Sequence, residues 1–171
     1  MVMAINEISV AYSNGTTATA AAMAWLLDYP ATYPDDTVRY KASQMNLRIY
    51  SDASYHSETE SRSCSGGHLF LVSPNYNDTK GNNGAIHITC EIIKKVISEA
   101  SEAECRSTFI NCKANIPLRI KLEEMVHPQP PTPVQIENFT TEGIINSTIQ
   151  QKRSKAMYMR FYWVQDRIKQ K

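Results

Sequence analysis

From Leu47 to Glu91 the chain reads in steps of two, and from Ser101 onward it reads in steps of three and four. Leu47, Ile49 and Ser51 fall on one side of an extended segment, and Arg48, Tyr50 and Asp52 on the other. That alternation predicts a strand over Leu47–Asp52 with Asp52 at its C-terminal end. Gly66-Gly67 leads into a second, apolar strand over His68–Ser73, and Ala85–Glu91 alternates as a third. The intervening Pro74–Gly84, rich in Asn and Gly, is long enough for a hairpin loop, so the three strands form an antiparallel meander. Ser101-Glu102-Ala103-Glu104 then fits an S-x-x-E capping box, and Cys105, Phe109, Cys112 and Ile116 follow at helical spacing. Pro117 is expected to kink or end this helix, with another turn or two from Leu118 to Met125.

The run from His127 to Pro133 contains four prolines and must be extended, because successive prolines forbid helix. Val134–Glu137 reads as a short buried strand ending at Glu137. Helices follow over Thr140–Asn146 and Ser154–Lys169, the second with Met157, Phe161, Val164 and Ile168 on one face. An alanine-rich helix over Thr16–Leu27, stopped by Asp28-Tyr29-Pro30, precedes all of this. The order helix, β-β-β-α-β-α-α predicts an α/β domain, a mixed sheet with flanking helices.

Several function classes fall away on composition. With 171 residues, 42% of them hydrophobic and 20% charged, the chain can build one real core. No apolar run approaches the roughly 20 residues that span a bilayer. Thr17–Leu27 is too short and lacks the basic flank of a signal peptide, so an intracellular protein is expected, cytoplasmic or nuclear and not secreted. Cys64, Cys90, Cys105 and Cys112 show neither CxxC nor zinc spacing, which fits reduced thiols used for packing. The Asn-x-Ser/Thr triplets at Asn14, Asn77, Asn138 and Asn146 are then turn and cap chemistry. His56, His68, His87 and His127 show no ligand spacing. Charge is uneven: residues 1–149 carry 11 basic and 16 acidic side chains, whereas residues 150–171 carry seven basic ones and only Asp166.

Three carboxylates occupy informative places. Asp52 ends the first strand, Glu137 ends the fourth, and Glu104 lies in the first turn of the long helix. If the first and fourth strands are neighbours, Asp52 and Glu137 come together, and a helix crossing over them adds Glu104. Clustered carboxylates repel one another and are tolerated mainly where cations neutralise them, and oxygen-only ligands favour Mg²⁺ or Mn²⁺. Two such ions about 3.5–4 Å apart suit phosphodiester hydrolysis. Equally, each acid serves solubility or a helix dipole, and Glu104 serves as the capping-box residue. The basic segment also reads two ways. Lys152, Arg153, Lys155 and Arg160, interleaved with Tyr158, Phe161, Tyr162 and Trp163, suit phosphate contacts and base stacking; they also suit a solvated helix with an aromatic core face.

Tyr50-Ser51-Asp52-Ala53-Ser54-Tyr55 resembles the "YSDADW"-type opening strand of the ribonuclease H domain in copia-type retrotransposon polyproteins. Arg62-Ser63-Cys64-Ser65-Gly66-Gly67-His68-Leu69-Phe70-Leu71 resembles that family's next strand, "R-S-x-S-G-y-x-F-L". Ser101-Glu102-Ala103-Glu104 is similar to its "S-x-EAE" helix start, and Ile136-Glu137-Asn138 to its "x-D-N". Arg153-Ser154-Lys155-Ala156-Met157 through Arg160-Phe161-Tyr162 resembles its "R-T-K-H-I-D-I-R-Y-H" helix. Ala4–Ile8 and Leu26–Tyr29, followed by Ala31-Thr32, resemble the segment joining the reverse transcriptase to this domain.

The resemblance implies a connection remnant over 1–46 and a ribonuclease H-like domain over 47–171. It implies cleavage of the RNA strand of RNA/DNA hybrids with two Mg²⁺ or Mn²⁺ ions, with a reverse transcriptase domain as a partner. Asp52, Glu104 and Glu137 take the positions of metal-binding, catalytic carboxylates. Glu104 is chosen over Glu102 by register. Lys152, Arg153, Lys155 and Arg160 take nucleic-acid contacts. Glu137 replaces the family's Asp and is longer by a methylene, and a misplacement of roughly 1 Å can cost about 100-fold in rate. Tyr158 stands where Asp is frequent, and Ala156 and Tyr162 replace histidines. The family continues with a last strand and an "A-D-x-x-T-K" segment bearing a fourth carboxylate. Neither precedes Lys171, so a C-terminally incomplete domain with impaired activity is expected, or an inactive remnant that acts at most as a nucleic-acid-binding or structural domain.

Overall fold

The computed structural model describes residues 1–75, 83–149 and 158–170. It divides into two compact units, Met1–Arg39 and Tyr40–Lys171. The first unit holds α1 (Val2–Val10) and α2 (Thr17–Thr32). Thr16 caps α2: its hydroxyl accepts from the Thr19 backbone, and the Thr19 hydroxyl accepts from the backbone of Thr16. The expected stop at Asp28-Tyr29-Pro30 does not occur, and α2 runs on to Thr32. Pro30 lies in the last turn, where it removes a single hydrogen bond and leaves little helix beyond it to disrupt.

The second unit begins at Tyr40. Tyr40 donates its hydroxyl to the Ala85 carbonyl at 3.0 Å, and the Asn83 side chain bridges both backbone groups of Lys41. The sheet contains β1 (Asn46–Glu58), β2 (Arg62–Val72), β3 (Ala85–Ile93) and β4 (Val134–Ile136), in the order β3-β2-β1-β4. β1–β2 and β2–β3 are antiparallel, as the meander requires, and β4 lies parallel to β1. This is a mixed α/β architecture: a four-stranded mixed sheet with flanking helices.

β1 is longer than the predicted Leu47–Asp52, and Asp52 lies within it rather than at its end. Pairing with β2 carries the strand past an irregularity between Ser54 and Glu58 to a tight turn at Thr59–Ser61. Leu47, Ile49 and Ser51 are all buried, as their shared face predicts.

The parallel pair needs a crossover, and α3 (Ala100–Glu124) supplies it. α3 starts before the expected box, with Glu99 at its N-cap, so Ser101 is inside the helix and caps nothing. The reciprocal contact belongs to Glu102, whose Oε2 accepts from the Ser98 backbone at 3.4 Å and the Ser98 hydroxyl at 3.2 Å. Pro117 neither ends nor splits the helix, which continues to Glu124. Beyond it, Arg119 donates to the carbonyls of Gln129 and Pro130 and to Thr132 Oγ1, clipping the proline-rich run against α3. The Gln129 amide accepts from Leu47 N and donates to the Met45 carbonyl, guiding the chain alongside β1.

α4 (Phe139–Ile145) is capped by Asn138, whose Oδ1 accepts from Thr141 N at 2.9 Å. α5 spans Tyr158–Lys169. Cys105 of α3 packs with Ile144 and Ile145 of α4 and with Phe161 and Val164 of α5. Met157, placed on the same face from the sequence, lies outside the described residues, and Ile168 is exposed. A second cluster joins Ile93, Ile97 and Ala103. Among the described residues no helix is long and apolar enough to cross a membrane.

Candidate functional site

A buried polar seam sets α3 onto the sheet. Ser51, Ser65, Ser107 and Asn111 are all at most 3% exposed. Ser107 Oγ donates to the Asp52 carbonyl at 2.6 Å and lies 2.8 Å from Ser65 Oγ. Asn111 Nδ2 donates to Ser51 Oγ at 2.9 Å and to the Gly66 carbonyl at 2.8 Å. The Asn111 amide fits because residue 67 is glycine: a Cβ there would stand 2.0 Å from Asn111 Oδ1. Hydrogen bonds of this kind are directional in a way that apolar packing is not. They fix both the height and the rotation of α3 over β1 and β2.

Fixed in that way, α3 turns Glu104 inward, one helical turn before Ser107. Glu104 is only 7% exposed, whereas Glu102 remains partly exposed and occupied with Ser98. Glu104 meets Asp52. Burial is the largest influence on its carboxyl, followed by the charge of Asp52; together they raise its pKa from 4.5 to about 7. A hydrogen bond between the two carboxyl groups and the charge of Glu137 push the same way, and the Ala53 backbone N–H opposes them. Glu104 Oε2 is buried without a hydrogen-bond partner. Asp52, exposed, has its Oδ1 held by Ala53 N at 2.8 Å.

Glu137 follows β4. The last parallel pair is Ser51 with Ile136, so the next positions along the two strands are Asp52 and Glu137. Glu137 is exposed, and its charge is felt at Glu104 more weakly than that of Asp52. The structure therefore brings Asp52 and Glu104 into contact, with Glu137 beside them. Among the described residues no three His, Cys, Asp or Glu side chains stand close enough to enclose an ion.

Of the four basic candidates, Lys152, Arg153 and Lys155 lie outside the described residues. Arg160, on α5, sits 5.9 Å from the centre of the Phe109 ring. It has a neighbour that sequence reading missed. Arg106 of α3 is held below the usual guanidinium range, first by burial and then by the charge of Arg160, with Glu91 and Glu102 acting in opposition. Its Nε is buried and unpartnered. Only its position two residues after Glu104 could have flagged it. Ser107, Asn111 and Gly67 were also missed, since small polar residues carry no sequence signal until the helix is docked. Cys105 and Cys112, raised by burial to about 11 and about 12, are thiols at neutral pH and packing groups.

No family model, curated protein or solved structure matches the chain.

Proposed function

We propose that this chain is a ribonuclease H-type domain, similar to that of copia-type retrotransposons, which hydrolyses the RNA strand of RNA/DNA hybrids. The observation that carries the reading is the Asp52–Glu104 contact on the central strand, with Glu104 Oε2 buried and unpaired. Two carboxylates pressed together cost the fold stability, and a divalent cation relieves that cost. Their all-oxygen donor set fits Mg²⁺ or Mn²⁺ rather than zinc. Asp52, Glu104 and Glu137 would hold the ions, Glu137 by turning its free side chain inward. When bound, the ions supply positive charge against the phosphodiester and acidity to water.

The protein's own groups do the rest. The Ala53 N–H orients Asp52, and the serine–asparagine seam keeps Glu104 facing it. Arg106 and Arg160, which repel one another when alone, are stabilised by a phosphate between them and register the backbone. Water attacks phosphorus and the 3′ oxygen leaves with a proton. Hybrid would be selected by shape and 2′-hydroxyl contacts rather than base edges. The test is cleavage of a labelled RNA/DNA hybrid in Mg²⁺ or Mn²⁺. Activity in the wild type that vanishes in Asp52→Asn supports the reading, and no cleavage by folded protein refutes it.

A second reading, a non-catalytic domain that binds nucleic acid through its basic side chains, is favoured by one observation: Glu137 is exposed, and its charge reaches Glu104 more weakly than that of Asp52. It predicts salt-dependent hybrid binding without Mg²⁺-dependent turnover.

A further inference from the structure

A cavity of about 700 Å³ lies between α3, β4, α4 and α5, within the second unit. Its size is in the range of sites that bury small organic molecules, about 300–1,000 Å³. None of Asp52, Glu104 and Glu137 lines it. The walls are mostly apolar: Ile116 and Ile120 from α3, Val134 and Ile136 from β4, and Trp163 and Val164 from α5.

Among these walls stands one polar group whose bonding is incomplete. Asn115 lines the cavity and is 7% exposed. Its Nδ2 donates to Thr132 Oγ1 at 3.2 Å, and the same hydroxyl accepts from Arg119 Nη1 at 2.9 Å. Asn115 Oδ1 is buried with no hydrogen-bond partner. An acceptor left so is costly, and it is satisfied by whatever donor enters beside it. The charged lining groups do not ask for a charged ligand. Arg119 is spent on two carbonyls, Thr132 and Glu123, Arg167 lies over the Trp163 ring and donates to Gln170, and the Glu142 carboxylate is on an exposed residue, within reach of water.

We propose that this cavity is a binding site for a small, neutral, largely apolar molecule carrying one hydrogen-bond donor, an aromatic N–H or O–H compound. The apolar walls and the Trp163 ring take its body, and Asn115 Oδ1 takes its donor. The site is independent of the carboxylate centre, although it shares α3 and β4 with it. Thr108, another lining residue, donates its hydroxyl to the Glu104 carbonyl at 2.9 Å.

Indole and 1-methylindole provide the test, since they differ by the donor and little else. Each is titrated into the isotope-labelled full chain and followed by NMR. Indole is expected to give saturable shifts at Asn115, Thr132 and Trp163, and to bind about tenfold more tightly than 1-methylindole, the worth of one buried hydrogen bond. In Asn115→Leu that preference falls to about one. Equal affinities in the wild type overturn the proposal, as does the absence of saturable shifts at these residues. So does a concentration-dependent dimer whose dissociation moves the same signals, for then a second copy fills the cavity. The comparison within the wild type stands even where the variant fails to fold.

Discussion

Replacing Glu104 by glutamine removes a charge from a place where the fold holds it at a loss. The carboxyl titrates near 4.5 in an unfolded chain and at about 7 in the native one. Between those values the native state binds the proton more tightly than the unfolded state, so stability falls as pH rises through the window. The contribution is fully present below pH 4.5 and fully lost above pH 7. At about 1.36 kcal/mol per pH unit the displacement is worth at most about 3 kcal/mol, and solvent screening around exposed Asp52 reduces it to about 2 kcal/mol. Glu104→Gln keeps the shape, loses the titration, and can donate to Asp52. Urea unfolding in the presence of a chelator, at pH 5 and at pH 8, reads the effect. The variant is expected to exceed the wild type by less than about 1 kcal/mol at pH 5 and by about 2 kcal/mol at pH 8. For a domain of this size that corresponds to about 4–8 °C in melting temperature. Added Mg²⁺ or Mn²⁺ should then raise the wild type at pH 8 and leave the variant unmoved. Parallel pH dependences for the two proteins would refute the reasoning, because Glu104 would then not be strained in the native state.

Gly67→Ala should cost about 2 kcal/mol, measured by urea unfolding, because a Cβ 2.0 Å from Asn111 Oδ1 displaces an amide bonded to Ser51 and Gly66. In an Asn111→Ala background the same substitution should cost much less, and a strictly additive double-mutant cycle would contradict the seam. Buried Cys105, its thiol raised to about 11, should resist iodoacetamide at pH 7.5 in the native protein while partly exposed Cys90 reacts, as peptide mapping after labelling would show. Arg106→Gln should weaken binding to an RNA/DNA hybrid and reduce the slope of log affinity against log salt by about one, with an unchanged slope counting against a phosphate contact.

Legibility followed the range of the forces involved. The buried face of β1, the meander and the extended path of residues 127–133 depend on neighbours in sequence, so period and proline content reveal them. So does the place of Asp52 and Glu137: once strand order is inferred, parallel pairing puts them side by side. The helix start failed because S-x-x-E spacing occurs at 101–104 while the helix is capped at Glu99, and that two-residue difference moves the first-turn acid position from Glu104 to Glu102. Pro117 does not end α3, because tertiary packing on both sides of it carries the helix past the lost hydrogen bond to Glu124.

What the amino-acid order determined alone is the succession of strands and helices and the two strand positions that carry acids, since alternation and proline are local properties. What only the tertiary structure decided is which acid faces inward and how its proton is held. That choice rests on the docking of α3 through Ser107 and Asn111 onto Ser51 and the backbone at Asp52 and Gly66, contacts between residues more than 40 positions apart. The partnerless Asn115 oxygen belongs to the same class, for a cavity is a property of four packed elements and of no one of them.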